Sequence, residues 1–331
     1  MIPKSSPAAA GAGISSFVRE LGLFVLQAAA FLLIAQVILV ILHFPYDSDR
    51  PPSASEAAAA RQFYSTAYDK QGSVAVSPDI SPEQEKYAKM ALEAALRNHI
   101  WEQIADFVRL FHLQDKRLLD IGSGQGYLQD EVADYTGMDI APTVARYYHK
   151  PFVLGSATAM PFDDNTFDGA WSIWVLEHVP NPEAALVEIR RVVKDNGVLF
   201  LAPQWDCSPW AAEGYHVRPY RDFGLRGKLI KAAIPVRATL TRVAMPAVRI
   251  SRGAAWGISN HLTQFRYHRL TPNFQTYWEP DSDAVNSLDF YEMALWFRSR
   301  GDECLTCDRG WAGLVQSYNP LVIRIHKHPQ A

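Results

Sequence analysis

Leu118-Leu119-Asp120-Ile121-Gly122-Ser123-Gly124-Gln125-Gly126 is the stretch that decides the fold of this chain. A short apolar run, one carboxylate and three alternate glycines describe a strand that ends in a tight turn and opens a helix. Glycine in such a turn takes positive φ without penalty and lets a ligand approach the main chain closely. In a dinucleotide-binding fingerprint the third glycine would fall at the position of Tyr127. Here it falls at Gly126, so the spacing is Asp-x-Gly-x-Gly-x-Gly. A nucleotide-type ligand is implied, but not a dinucleotide.

Working outward, Asp139 closes a second short strand, 135–139. An acidic residue at that tip of a doubly wound sheet can accept hydrogen bonds from both ribose hydroxyls; the alternative is a simple turn aspartate. A third strand near 152–154 leads to Gly155-Ser156-Ala157-Thr158-Ala159-Met160-Pro161-Phe162 and then Asp163-Asp164-Asn165-Thr166-Phe167-Asp168. A fourth strand, 169–174, is followed by Leu176-Glu177-His178-Val179, a helix over 183–194, Asp195-Asn196-Gly197 and a fifth strand, 198–203. Asn196 and Gly197 both tolerate left-handed φ, which suits the turn into that last strand.

From 118 to 203 the order and spacing of these elements resemble the class I S-adenosyl-L-methionine (SAM) methyltransferases, in particular the type 11-like group. The resemblance implies an α/β fold with a doubly wound, seven-stranded Rossmann-like sheet. It implies SAM as cofactor, held by Asp120, Gly122, Ser123, Gly124, Gly126, Asp139, Ile140, Ser156, Ala157, Met160 and Trp174. The main-chain N–H groups of 122–126 would face the methionine portion, Asp139 the ribose, Ile140 and Met160 the faces of the adenine, and Ser156 and Ala157 its edge. Ser156 stands where the family usually carries an acidic residue that contacts the adenine amino group. A hydroxyl acceptor would need a base, and His178, just past strand four with Glu177 beside it, is the candidate; Asp206 and His216 are fallbacks.

The N-terminal quarter carries a second signal. Residues 21–44 form a run of 24 without a charged side chain, long enough to cross a ~30 Å hydrocarbon core as a helix. We expect a short tail over 1–20, a single transmembrane anchor over 21–44, and a linker over 45–80 with a helix able to cover SAM. The methyltransferase domain would then occupy 81–331. Lys4 and Arg19 precede the apolar run and Arg50 and Arg61 follow it, a balance that slightly favours a cytoplasmic N-terminus. The need for SAM argues instead for a membrane protein whose catalytic domain is on the cytoplasmic side.

A basic insertion at about 208–282 stands apart. Between Tyr215 and Leu270 eleven Lys or Arg face one acidic residue, Asp222. Apolar residues lie between them, and Pro235 and Pro246 are expected to break the stretch into short helices. This pattern suits an interfacial patch on anionic lipid at 215–270; a solvated cationic face and phosphate binding on nucleic acid are the alternatives, the last disfavoured. Trp205, Trp210, Trp256 and Trp278 would wall an acceptor pocket. Towards the end, a helix over 283–300 and two antiparallel strands near 303–307 and 321–325 complete the sheet.

The net charge of −3 does not select a partner, and three cysteines exclude a disulfide framework. Cys304 and Cys307 have the spacing of a redox or zinc pair, but no second pair follows, and they read better as small apolar residues; no metal is expected. The leading function is therefore a membrane-anchored methyltransferase acting on a small or lipid-linked acceptor, at oxygen or carbon. The alternative is a non-catalytic, methyltransferase-like subunit of a membrane protein complex.

Overall fold

The structure is a computed structural model, and it describes residues 19–35, 54–68, 82–307, 314 and 320–327. The chain folds as mixed α/β around a seven-stranded sheet. Its strands are β1 (Arg117–Ile121), β2 (Asp134–Asp139), β3 (Phe152–Leu154), β4 (Phe167–Ile173), β5 (Val193–Ala202), β8 (Glu303–Cys304) and β9 (Leu321–Arg324). Their spatial order is β3-β2-β1-β4-β5-β9-β8. The first five run parallel, while β9 pairs antiparallel with both β5 and β8. A separate ribbon of β6 (His268–Arg269) and β7 (Asn286–Ser287) lies outside this sheet.

The near-continuous apolar runs of the central strands follow from burial on both faces. Leu119, Ile121, Leu199, Leu201, Leu321 and Ile323 point to one side, against α5 (Pro182–Val192) and α7 (Phe290–Arg298). Leu118, Tyr135, Trp171, Phe200 and Val322 point to the other, against α4 (Ile100–Leu110). Helix α4 buries Ile100, Ile104, Phe107 and Val108, the i, i+4, i+7, i+8 face of an amphipathic helix. Helix α5 opens on Asn181, whose side chain accepts the Ala184 N–H, with Pro182 at the first position. Two further helices, α2 (Ala54–Tyr68) and α3 (Pro82–Arg97), precede α4.

Several expectations are corrected. The glycine turn does not open a helix: residues 127–133 are turns and bends that run straight into β2. The link from β2 to β3 is likewise only a short 3-10 turn, Pro142–Tyr147. Positive φ at Gly122, Gly124 and Gly126 keeps the first of these turns out of a right-handed helix. The helix expected over 283–300 is shortened to α7, because Asp289 caps it by accepting the Tyr291 and Glu292 N–H groups while 286–287 are spent in β7.

The basic insertion is also not a set of short helices. Residues Leu225–Ser259 form one helix of 35 residues, α6, with Pro235 and Pro246 inside it. An interior proline removes one hydrogen bond and costs about 3 kcal/mol. Tertiary contacts along α6 offset this: Lys231 Nζ donates to the Tyr215 carbonyl, Arg237 stacks on Trp210, and Arg249 and Arg252 pair with Asp289 and Glu292 at 2.9 and 2.7 Å. Cys304 and Cys307 are not merely small apolar residues either; they form a disulfide.

The anchor expected at 21–44 lies only partly within the described residues. Helix α1, residues 19–35, spans roughly 26 Å at 1.5 Å per residue, and residues 36–44 lie outside the description. Among the described residues no helix is long and apolar enough to cross a membrane, so a transmembrane helix and a single-pass localisation find no support there.

Candidate functional site

A cleft of about 330 Å³ opens at the carboxyl ends of β1, β2 and β4. This is where the strand order reverses, β1 being flanked by β2 on one side and β4 on the other. Adjacent crossovers leave there in opposite directions, so a crevice results from topology alone. The floor is Gly122, Met138, Asp139 and Ile140; one wall is Gly155, Ser156 and Ala157; the other is Ile173, Trp174 and Val175. Ala57, Ala60, Arg61 and Tyr64 of α2, with Met90 and Ala94 of α3, form the roof. Glu177, His178, Gln204, Tyr277 and Asp281 close the far end.

Of the residues singled out from sequence, Gly122, Asp139, Ile140, Ser156, Ala157, Trp174 and His178 are brought to this cleft. Gly122 needs to be glycine twice over. Its φ is +69°, and a Cβ there would stand 2.3 Å from a Val175 methyl. Asp139 is 6 % exposed, and its two oxygens accept the Gly124 and Ala141 N–H groups, each at 2.9 Å. Burial pushes its carboxyl above the ordinary range, opposed by the N–H groups of Ala141, Gly124 and Ile140. Each oxygen keeps a further lone pair for a hydroxyl donor. Ser156 Oγ lies 2.9 Å from Thr158 Oγ1, and the Thr158 N–H also donates to it.

Asp120, Ser123, Gly124, Gly126 and Met160 do not line the cleft. Asp120 lies beneath the turn, where it accepts the Tyr135 hydroxyl at 2.8 Å; burial raises its pKa to about 7, opposed by the nearby Trp171 indole and the Tyr135 hydroxyl. The Tyr148 hydroxyl lies 2.7 Å from Ser123 Oγ and donates to the Gly124 carbonyl. The N–H groups of Gly122 and Ser123 donate to the Met138 carbonyl, so they tie the turn to β2. Met160 is packed in the core under α5, while Met138 takes a place on the cleft floor. The four expected tryptophans are elsewhere: Trp205 packs on Phe290, Trp210 on Arg237, Trp256 on Arg298 and Trp278 on Arg218.

His178 sits in a nest of carboxylates. Its Nδ1 is 3.4 Å from Asp283 Oδ2 and its Nε2 is 3.8 Å from Glu177 Oε1. The Tyr64 hydroxyl donates to the same Asp283 oxygen at 2.9 Å, and the Tyr64 ring meets the imidazole edge-on at 5.8 Å. Burial alone would lower the His178 pKa, but the charges of Asp283, Glu177 and Asp281 outweigh it and the net shift is upward. Burial raises Glu177 to about 7, opposed by His178 and by the Gln204 N–H that Glu177 accepts at 3.0 Å. Asp281 is raised to about 6 by burial, opposed by His178 and reinforced by Asp283 and Glu279. Glu177 Oε2, Asp283 Oδ1 and His178 Nδ1 are buried and lack a hydrogen-bond partner.

The β6–β7 ribbon assembles this nest. The Val285 N–H donates to the Glu177 carbonyl, Asn286 Nδ2 to the Val179 carbonyl, and Arg269 to the Pro180 carbonyl. Those bonds dock the ribbon on the turn after β4 and bring Asp281 and Asp283 against His178. Sequence reasoning missed both aspartates. The available signal was Glu279, Asp281 and Asp283 ending a stretch, 223–278, with no acidic residue. The fallback residues stand apart from the cleft: Asp206 is exposed, and His216 pairs with Glu279 at 3.1 Å. Among the described residues no cluster of His, Cys, Asp and Glu could hold a metal ion.

Residues 119–201 match the methyltransferase domain family. The sterol 4-C-methyltransferase of Caenorhabditis elegans is 33% identical over 127 residues, covering 34% of this chain and 37% of that protein. The ubiquinone biosynthesis O-methyltransferase of Glaesserella parasuis is 30% identical over 153 residues, covering 36% of this chain and 62% of that protein. This chain thus aligns with less than two thirds of the length of either relative. Among solved structures, the 1,6-didemethyltoxoflavin-N1-methyltransferase of Burkholderia thailandensis is similar with a TM-score of 0.46 at 13% identity, covering 85% of this chain and 94% of that one. The match to a methyltransferase domain thus rests on residues 119–201, the strands and turns that build the cleft.

Proposed function

We propose that this chain is an enzyme that moves the methyl group of SAM to a hydroxyl, or an activated carbon, of a small or lipid-linked acceptor. One observation carries the reading. The carboxylate of Asp139 and the Cβ-free floor at Gly122 share one cleft with His178 and its carboxylate nest.

SAM brings a methyl already activated by its sulfonium. The chain's own share is therefore proximity, alignment and exclusion of bulk water. Asp139 accepts from the ribose hydroxyls, Ile140 and Met138 flank the adenine, and Ser156 and Ala157 bind its edge. Helix α2 roofs the cleft and limits water. The charge of Asp283, 3.4 Å from His178 Nδ1, favours the tautomer that carries its proton there, and Nε2 takes the proton that leaves an acceptor hydroxyl. Tyr64 fixes Asp283 from the other side.

The test is methyl transfer from methyl-labelled SAM to a panel of phenolic, sterol and quinol acceptors, with calorimetric titration of S-adenosylhomocysteine alongside. Transfer abolished by His178→Ala, with S-adenosylhomocysteine still bound, is the expected result. Absence of any S-adenosylhomocysteine binding sinks the reading.

A single-pass anchor over 21–44, with the catalytic domain on the cytoplasmic side, belongs to the same proposal. What supports it is the uncharged run 21–44 in the sequence, of which α1 covers the part up to residue 35. Extraction of membranes with alkaline carbonate checks it; a chain released to the supernatant overturns it.

A further inference from the structure

Helix α6 carries two faces. At 100° per residue, Leu225, Leu229, Ala232, Val236, Val243, Ile250 and Ala254 fall within about 40° of one line along its length. All seven are exposed. On roughly the opposite side lie the buried residues Ile234, Met245 and Arg249. Arg249, with Arg252, fastens α6 to α7 through Asp289 and Glu292. The apolar stripe therefore points away from the body of the protein, over about 44 Å.

The charge around this stripe is one-sided. Arg226 flanks one edge, and Lys228 and Arg242 the other; all three are exposed and make no ion pair with a described residue. From Phe223 to Trp278 there is no acidic residue. The other cations of α6 are spent inwardly: Lys231 on the Tyr215 carbonyl, Arg237 on Trp210, Arg249 and Arg252 on α7. The sequence alone suggested a basic interfacial patch over 215–270 made of short helices. The fold separates structural cations from those that rim the exposed stripe.

We propose that α6 lies on an anionic lipid surface, with Leu229, Val236, Val243 and Ile250 immersed at the acyl boundary and Arg226, Lys228 and Arg242 paired with headgroups. An apolar line rimmed by long cationic side chains matches the depth profile of a membrane interface: the stripe enters, and the stems of Lys and Arg reach back to the phosphates. A second copy of this chain is a poorer occupant, because two such faces would set the same cations against each other. This contact is independent of α1 and of the methyl-transfer reading.

The test uses the full chain with Val236→Cys labelled by an environment-sensitive fluorophore; among the described native cysteines, Cys207 is buried and Cys304 and Cys307 are in a disulfide. Vesicles of phosphatidylcholine alone are compared with vesicles containing phosphatidylglycerol, and Leu110→Cys, at an exposed position of α4, is the control label. We expect a blue shift and brightening at 236 with the anionic vesicles only, reversed by high salt, and no change at 110. A membrane contact made by α1 alone would leave 236 unchanged, and that outcome overturns the proposal without touching the anchor. Equal shifts on neutral vesicles, or a shift with protein concentration and no vesicles, also overturn it; the latter would assign the stripe to a second copy. The triple change Arg226→Ala, Lys228→Ala, Arg242→Ala should weaken the probe-detected binding about a hundredfold, since each cation near an anionic surface contributes about a fivefold factor.

Discussion

Asp139→Asn perturbs the cleft with almost no change of volume. The carboxylate is 6 % exposed and accepts the Gly124 N–H on one oxygen and the Ala141 N–H on the other, both at 2.9 Å. In the amide, one of those two ends becomes an NH2 group that faces an N–H donor. A stranded buried donor costs about 1–3 kcal/mol in the folded protein. Ligand binding loses a separate quantity, because a hydrogen bond from a ribose hydroxyl to a charged acceptor contributes about 1.5–3 kcal/mol. S-adenosylhomocysteine should therefore bind about 10- to 150-fold more weakly. Isothermal titration near neutral pH measures this, with thermal unfolding of the same sample to show that the variant is folded. The pH dependence gives a second arm. Burial places the Asp139 pKa above that of a free aspartate, so wild-type affinity should start to fall on acidification earlier than an exposed carboxylate would allow. The amide variant should show no such limb. A folded variant that binds within about threefold of wild type would refute the role given to Asp139.

Gly122→Ala combines a positive φ with a Cβ placed 2.3 Å from a Val175 methyl; the left-handed conformation alone costs about 1–2 kcal/mol, so a lowered melting temperature together with weakened S-adenosylhomocysteine binding is expected, and an unchanged Tm contradicts the geometry. Neutral His178 is the form that accepts a proton, and its pKa is raised, so kcat/KM should climb with pH through that raised pKa. Asp283→Asn removes one of the carboxylates that raise it, and the limb should move to lower pH with a smaller maximum; an unmoved limb assigns it to another group. Glu177 rises from 4.5 to about 7 on folding, so the folded state holds more protons in that window and stability should fall as pH rises from about 4.5 to 7, by about 3 kcal/mol at most. Glu177→Gln should remove that fall in urea unfolding curves. Arg249 is 3 % exposed and donates to Asp289 through two nitrogens, and to the Leu314 carbonyl; Arg249→Met should destabilise by about 3–5 kcal/mol, with part recovered in the double change with Asp289→Asn.

What the sequence determined by itself is local or strictly periodic. The apolar runs of 118–121, 167–173 and 198–202 can satisfy themselves only as buried parallel strands, and the glycines at 122–126 only as a turn with positive φ. Asn181 and Pro182 set the start of α5 through a near-neighbour hydrogen bond, whereas the start of α7 moved from the expected 283 to Asp289. Gly122 and Asp139 could thus be expected at one sheet crevice from the resemblance over 118–203, because each sits at the carboxyl end of its own strand.

What only the tertiary structure decided depends on partners far away in sequence. Asp283 reaches His178 and Tyr64 from positions 105 residues and 219 residues distant, through a ribbon whose two-residue strands carry no periodicity to detect. Pro235 and Pro246 are helix breakers by local propensity, yet α6 is continuous, since contacts to Trp210, Asp289 and Glu292 outweigh two missing hydrogen bonds. The same contacts divide the basic residues into those turned inward and those left around an exposed apolar line. A count of charges along the chain gives the total, but only the direction in which a helix faces its core decides which of them meet another surface.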